Sequence, residues 1–274
     1  MPLPERHSAP PVRHYWRVSP RRRLLIGAAL AVVLALAVVV VIQLIGKGTR
    51  TGTPDQARPG TVLLLPGYGG GTEGLRVLAE FLKAAGRTVR IVTPPGDGTG
   101  DLRAQADALE EAVDDALDDG APSVDIVGYS AGGVVTRLWF DRHDGTTAAR
   151  RVVTLGSPLH GAKIAATGAG LAPDACPPAC QQLAPGSDLL TRLNREPAPV
   201  PWLSVWTEND ETVQPPDSAR LEGAVNLPIQ SLCPDVTLAH SQLPNNPLVS
   251  KLVLRAIGSG PIDVPTDCAA LRGA

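Results

Sequence analysis

The chain has 274 residues, near the upper end for one domain and long enough to bury a large core. A formal net charge of -2 leaves no dominant basic face, so nucleic acid is not an expected partner. Gly (28) and Pro (27) are abundant while aromatics make up 3%, which fits a loop-rich α/β protein better than a β-sandwich.

In chain order, residues 1–23 are Pro- and Arg-rich and are expected to form a basic cytoplasmic tail. Residues 24–45 are uncharged and apolar apart from Gly27 and Gln43. At about 1.5 Å per residue such a stretch spans a hydrocarbon core of roughly 30 Å. A buried core helix of this length would be amphipathic, and this one is apolar all round. Arg21, Arg22 and Arg23 precede it and only Lys47 and Arg50 follow closely. The positive-inside rule therefore keeps the N-terminus in the cytoplasm and puts the rest outside. The expectation is a single-pass anchor in the cell membrane with the following domain extracellular. A cleaved signal peptide is the alternative, although the apolar run exceeds a typical signal core and no clear small-x-small site follows. Residues 46–60 are expected to be a flexible linker, and 61–274 the globular domain.

Within that domain, strand and helix patterns alternate. Short β-rich runs are expected at 61–65, 88–93, 123–127, 151–155, 201–206 and 224–227. Helices are expected at 75–85, where Leu75, Leu78, Ala79 and Leu82 share a face, and at 101–118, where Leu102, Ala106, Leu109, Val113 and Leu117 do. Two more are expected at 131–143 and 247–257. Such alternation with short connections implies a mostly parallel sheet covered by helices on both faces. Ligands in these sheets sit beyond the carboxyl ends of the strands, so chemistry is sought there.

After the strand ending at Val127 comes Gly128-Tyr129-Ser130-Ala131-Gly132, then Gly133. A turn that reverses from strand to helix in so few residues crowds the backbone, so glycines flank the serine and its hydroxyl is thrust above the sheet. Ser130 is the candidate nucleophile, with Gly128 and Gly132 as the turn glycines. Chain order in this architecture runs Ser, acid, His. His7 and His14 lie before the apolar run, His143 ends the nucleophile helix, and His160 precedes any late acid. His240, in a loop before the last helix, is the candidate base. The loop 207–213 leaves the strand between them, and Asp210 is the candidate acid, with Glu208, Glu211 and Asp235 as rivals. Backbone N–H groups of Ala131 and of Tyr68, in the loop Pro66-Gly67-Tyr68-Gly69-Gly70-Gly71, are the candidate oxyanion hole. That loop ends Gly-Thr-Glu, which matches neither a Walker loop nor a dinucleotide fingerprint.

Cys176, Cys180, Cys233 and Cys268 all lie beyond the apolar segment, and an even count on the exported side suggests two disulfides. Cys176–Cys180 is favoured because it is local, and Cys233–Cys268 because it would tie down the C-terminal tail. A four-cysteine zinc site is the alternative, but neither pair is a CxxC knuckle.

Five segments together resemble bacterial lipases and esterases of the α/β-hydrolase superfamily: LLLPGYGGG (63–71), VDIVGYSAGGVV (124–135), VVTLGSPLHGAK (152–163), TENDETVQP (207–215) and AHSQLPNNPLV (239–249). The third has no place in the triad argument and resembles the segment that shapes the acyl pocket in lipases, with His160 as a structural or pocket residue. The resemblance implies an α/β-hydrolase fold, a lipid or small-ester substrate, and cleavage through an acyl-enzyme with no metal or organic cofactor. It also admits a cell-envelope acyltransferase or thioesterase using the same triad, or a catalytically silent binding protein. Two departures stand out. Pro66-Gly67 occupies the place where such lipases often carry His-Gly. The segment 161–198 is Pro/Gly/Ala-rich and lacks a long amphipathic helix, so a minimal cap is expected instead of a conventional lid.

Overall fold

Six parallel strands organise residues 51–274 in a computed structural model that describes residues 20–46 and 52–273. The strands are β1 (Thr61–Leu65), β2 (Val89–Ile91), β3 (Val124–Tyr129), β4 (Ala149–Leu155), β5 (Trp202–Trp206) and β6 (Val225–Pro228). Their order across the sheet is β2-β1-β3-β4-β5-β6. The chain moves outward from β1 to β2, then crosses back to β3 on the other side of β1. That reversal makes the carboxyl ends of β1 and β3 a topological switch point, where open α/β sheets form their crevice.

Alternation along the strands feeds two cores. Val62 and Leu64 of β1 pack with Val127, Val153 and Leu203 against α2 (Glu73–Ala84) and α9 (Pro247–Ala256). Leu63 and Leu65 face the opposite way, with Ile126 and Val152, against α3 (Leu102–Asp118) and α4 (Ala131–Arg142). The residues expected on the apolar faces of α2 and α3 are buried there, except that Leu117 is only partly covered. Each fully buried Leu stabilises the fold by roughly 1.5–3 kcal/mol over an exposed one. Asp101 caps α3, its carboxylate accepting from the Arg103 N–H at 2.9 Å.

The segment between β4 and β5 holds three short helices, α5 (Lys163–Leu171), α6 (Pro178–Gln182) and α7 (Asp188–Leu193), in place of one long amphipathic helix. Two brief helices, α8 (Ile229–Leu232) and α10 (Cys268–Gly273), were not expected from the sequence. Two disulfides are present. Cys176–Cys180 closes the α5–α6 connection and Cys233–Cys268 fastens α10 near α8. All four cysteines are thereby used, which removes the thiolates that the zinc alternative needs.

At the amino ends of the strands lies a buried ionic cluster. Asp125 accepts from Arg150 at 2.6 Å and from Arg87 at 2.9 Å, and both Asp125 and Arg150 are fully buried. Burial pushes the Asp125 carboxyl up, against the opposing pull of Arg150. Arg150 also donates to the carbonyls of Ile257 and Gly258, and Arg151 to those of Ala256 and Gly260. Gln56 exchanges hydrogen bonds with Arg150 across the start of β4. The later part of the expected 46–60 linker is thus held against the sheet by hydrogen bonds between Gln56 and Arg150. Residues 47–51 of that linker lie outside the described residues, as do residues 1–19 of the expected 1–23 tail, whose last four residues begin a helix.

The N-terminal unit is described by a single 27-residue helix, α1 (Pro20–Gly46). Among the described residues no helix is long and apolar enough to cross a membrane. The expected span over 24–45 is therefore not shown. The side chains of 39–46 lie outside the described residues, and the described apolar stretch, 24–38, is shorter than a bilayer needs.

Candidate active site

Ser130 ends β3 and caps α4 with φ 51 and ψ -124, the one described non-glycine residue at positive φ. An L-residue pays a steric penalty in that region, so the surroundings must enforce it. They do so by removing side chains. A Cβ on Gly128 would lie 2.7 Å from the Gly133 backbone, one on Gly132 2.7 Å from the carbonyl oxygens of Leu65 and Pro66, and one on Gly133 2.1 Å from Ser157 Oγ. The Ser130 N–H is tied to the Leu155 carbonyl at 2.8 Å.

Asp210 lies in the loop leaving β5 and is 1% exposed. Its Oδ1 accepts from the backbone N–H groups of Thr212 and Val213 at 2.9 and 2.6 Å. Its Oδ2 lies 2.7 Å from His240 Nδ1. A carboxylate held on one oxygen by the chain and on the other by a ring nitrogen fixes both imidazole orientation and tautomer. His240 is 4% exposed and opens a 3-10 turn, His240–Asn245, ahead of α9. The rival acids are placed otherwise. Asp235 pairs with Arg272 at 2.6 Å on the surface, Glu208 is exposed, and Glu211 Oε2 accepts from the His240 backbone N–H at 3.0 Å.

The end of β4 links the serine and the histidine. Leu155 accepts from Ser130, and the next residue, Gly156, sits at φ 56 where a Cβ would lie 3.0 Å from His240 Nδ1. Tyr129, adjacent to Ser130, stacks on the imidazole with ring centroids 5.1 Å apart. Burial, with the charges of Asp210 and Glu211 adding to it, pushes the Tyr129 phenol up to about 12.

The loop after β1 brings Gly67 against Ser130, with a Cβ there 2.9 Å from the serine Cβ. Gly69 and Gly70 donate their N–H groups to Gly98 and Gly67. Tyr68 stands between Gly67 and Gly69, its side chain 45% exposed. The Ala131 N–H belongs to the first turn of α4, where backbone donors have no intrahelical acceptor and the helix dipole favours negative charge. His160 donates its backbone N–H to the Ser218 carbonyl at 3.0 Å and lines a cavity of ≈ 700 Å³ that includes Pro185, Pro215 and Arg220.

Three residues that the sequence did not single out brace the acid and base loops, Thr207 and Gln230 joining the acid loop to the base loop and Gln242 closing a turn within the base loop. Thr207 Oγ1 donates to the Leu238 carbonyl at 2.7 Å, and Gln230 Nε2 reaches Thr207 Oγ1 and the Val236 carbonyl at 3.0 and 3.1 Å. Gln242 accepts from the Ala239 N–H at 2.9 Å. A Thr or Gln in a polar loop carries no pattern that marks its partner in advance.

No family model matches the chain, and no curated protein matches it. Solved structures do. The chain is similar to lipase B of Aspergillus fumigatus with a TM-score of 0.64 and 20% identity, covering 78% of this chain and 56% of that one. It is similar to the mature form of the Bacillus licheniformis lipase BlEst2 with a TM-score of 0.55 and 18% identity, covering 71% of this chain and 91% of that one. The chain thus spans little more than half of the first protein's length. At these identities the likeness gives the fold. It is the α/β-hydrolase fold, with a parallel six-stranded sheet flanked by helices.

Proposed function

We propose that this chain is a serine hydrolase of carboxylic esters, a lipase or carboxylesterase, with Ser130, His240 and Asp210 as its triad. The observation that carries the reading is the buried Asp210–His240 pair at 2.7 Å, and a serine held at positive φ at the switch point of the sheet supports it. Such a pair turns a neutral imidazole into a base for a neighbouring hydroxyl.

In this mechanism His240 takes the Ser130 proton as Oγ attacks the ester carbonyl. The N–H groups of Tyr68 and Ala131 receive the oxyanion, which the dipole of α4 also favours. Asp210 stabilises the imidazolium that forms. His240 then protonates the leaving alcohol, and water, deprotonated in turn by His240, hydrolyses the acyl-enzyme. The lipase names of the structural neighbours favour a lipid or small-ester substrate. The reading extends to the cell envelope. The uncharged, largely apolar sequence of 24–45 supports a membrane tether, and two disulfides support an exported domain.

The test uses the full chain in detergent with p-nitrophenyl esters of increasing acyl length. Turnover that Ser130→Ala abolishes is the expected result. Equal rates in the two proteins, or no turnover in either, would overturn the assignment.

A further inference from the structure

The backbone of His240, and not only its ring, is held by side chains. Its N–H donates to Glu211 Oε2 at 3.0 Å, and its carbonyl accepts from the Tyr129 hydroxyl at 3.5 Å. Each grip comes from a residue next to a member of the proposed triad, Glu211 after Asp210 and Tyr129 before Ser130. The need for them is local. His240 opens a 3-10 turn, so its N–H has no acceptor within that turn. Asp210 fixes how the imidazole points but leaves the position of its Cα free.

We propose that Glu211 and Tyr129 are positioning residues that clamp the peptide groups of His240 and set the distance between the base and Ser130. The inference rests on the ester-hydrolase reading for its catalytic consequence and on the hydrogen bonds alone for its structural part. Consecutive carboxylates of one loop thereby divide the work, Asp210 on the ring and Glu211 on the chain. A carboxylate acceptor makes the stronger, charge-assisted bond to an N–H. A glutamine at 211 keeps the same reach and a carbonyl oxygen to accept with, whereas alanine keeps neither. The Tyr129 phenol, pushed up to about 12, remains an O–H donor throughout the neutral range. Its ring lies on the imidazole, so it limits tilting as well as sliding.

The experiment compares the full-length wild type with Glu211→Ala, Glu211→Gln and Tyr129→Phe. Each is assayed for kcat and KM on one p-nitrophenyl ester and for amide hydrogen exchange in overlapping peptides that bracket His240. In Glu211→Ala, kcat should fall about tenfold to a hundredfold with KM within about twofold, as for a base displaced by a fraction of an ångström. Glu211→Gln should recover most of that loss. Tyr129→Phe, which keeps the ring stack and loses one long hydrogen bond, should cost less than Glu211→Ala. The His240 amide should exchange faster in Glu211→Ala and return toward wild type in Glu211→Gln. Unchanged exchange in Glu211→Ala overturns the clamp, whatever the activity. So does an equal kcat loss in the Gln and Ala variants, which would make charge and not grip the cause, or a rise in KM alone, which would make Glu211 a substrate contact. If the wild type turns over no ester, the functional reading fails while the exchange data still decide the clamp.

Discussion

Gly156→Ala is the sharpest perturbation of the link between Ser130 and His240. Gly156 sits at φ 56, where an alanine costs about 1–2 kcal/mol in backbone strain. Its methyl would also lie 2.6 Å from Leu243 Cδ1 and 3.0 Å from His240 Nδ1. Leu243 can swing aside, but the imidazole is held at 2.7 Å by Asp210 and can retreat only by weakening that bond. Overpacking of this kind adds about 1–3 kcal/mol. The sum is roughly 2–5 kcal/mol, or a Tm lowered by roughly 5–15 °C in a domain of this size. Turnover should fall by about tenfold to a hundredfold more than stability explains, because the base is moved off its line to the serine. Gly86→Ala is the matched control, at φ 79 with nothing within 4 Å of its Cβ. It carries the backbone strain alone and should lose about 1–2 kcal/mol with kcat intact. Thermal melts and initial rates on a p-nitrophenyl ester measure both variants. Wild-type kcat in Gly156→Ala, or an equal loss of kcat in Gly86→Ala, would refute the argument.

Three further outcomes follow from the fold. Asp125→Ala leaves Arg150 and Arg87 without their buried carboxylate and should destabilise by about 3–5 kcal/mol in urea unfolding, whereas a loss below about 1 kcal/mol would mean the carbonyl partners suffice. Replacing Cys233 and Cys268 with Ser frees a closure of separation 35 and should cost roughly 4 kcal/mol, against roughly 2 kcal/mol for the separation-4 pair Cys176 and Cys180; the reverse ranking in thermal melts would contradict the loop-closure account. Folding raises the Tyr129 phenol from its ordinary value near 10 to about 12, so its contribution to stability is whole below about pH 10 and is lost as pH climbs through 12. An ultraviolet titration of the phenolates should show this tyrosine ionising last, and Tyr129→Phe should lack that late step.

Much of the scaffold is legible in the sequence because each core strand and long helix has its own hydrophobic period. The alternation of Val62 and Leu64 with Leu63 and Leu65 becomes two opposed cores, and Ser130, Asp210 and His240 each follow the strand or precede the helix that chain order requires. Where the pattern is weak the sequence says less. Residues 161–198 fold into three short helices that their Gly, Pro and Ala content does not announce, and β2, an edge strand paired only with β1, covers three residues of the expected 88–93. The sequence favours Asp210 over Glu211, but adjacent acids in one loop carry no local pattern that separates their roles. Backbone direction at the end of β5 sends one to the imidazole ring and the other to a peptide N–H. The hold on Gln56 is not legible either, since pairing with Arg150 is a tertiary event with no local signature.

The tightest contact in the serine turn falls outside its pentapeptide, at Gly133, whose missing Cβ is what Ser157 Oγ occupies. Positions 133 and 157 therefore share one volume, and residue 133 cannot gain a side chain while Ser157 keeps its own. A lineage descending from this sequence could lose its serine at a single step and keep the turn intact, but it could not enlarge residue 133 without first hollowing out β4's outgoing loop. Within this turn the glycines are a record of geometry, and Ser130 is the one residue whose replacement would leave that geometry in place.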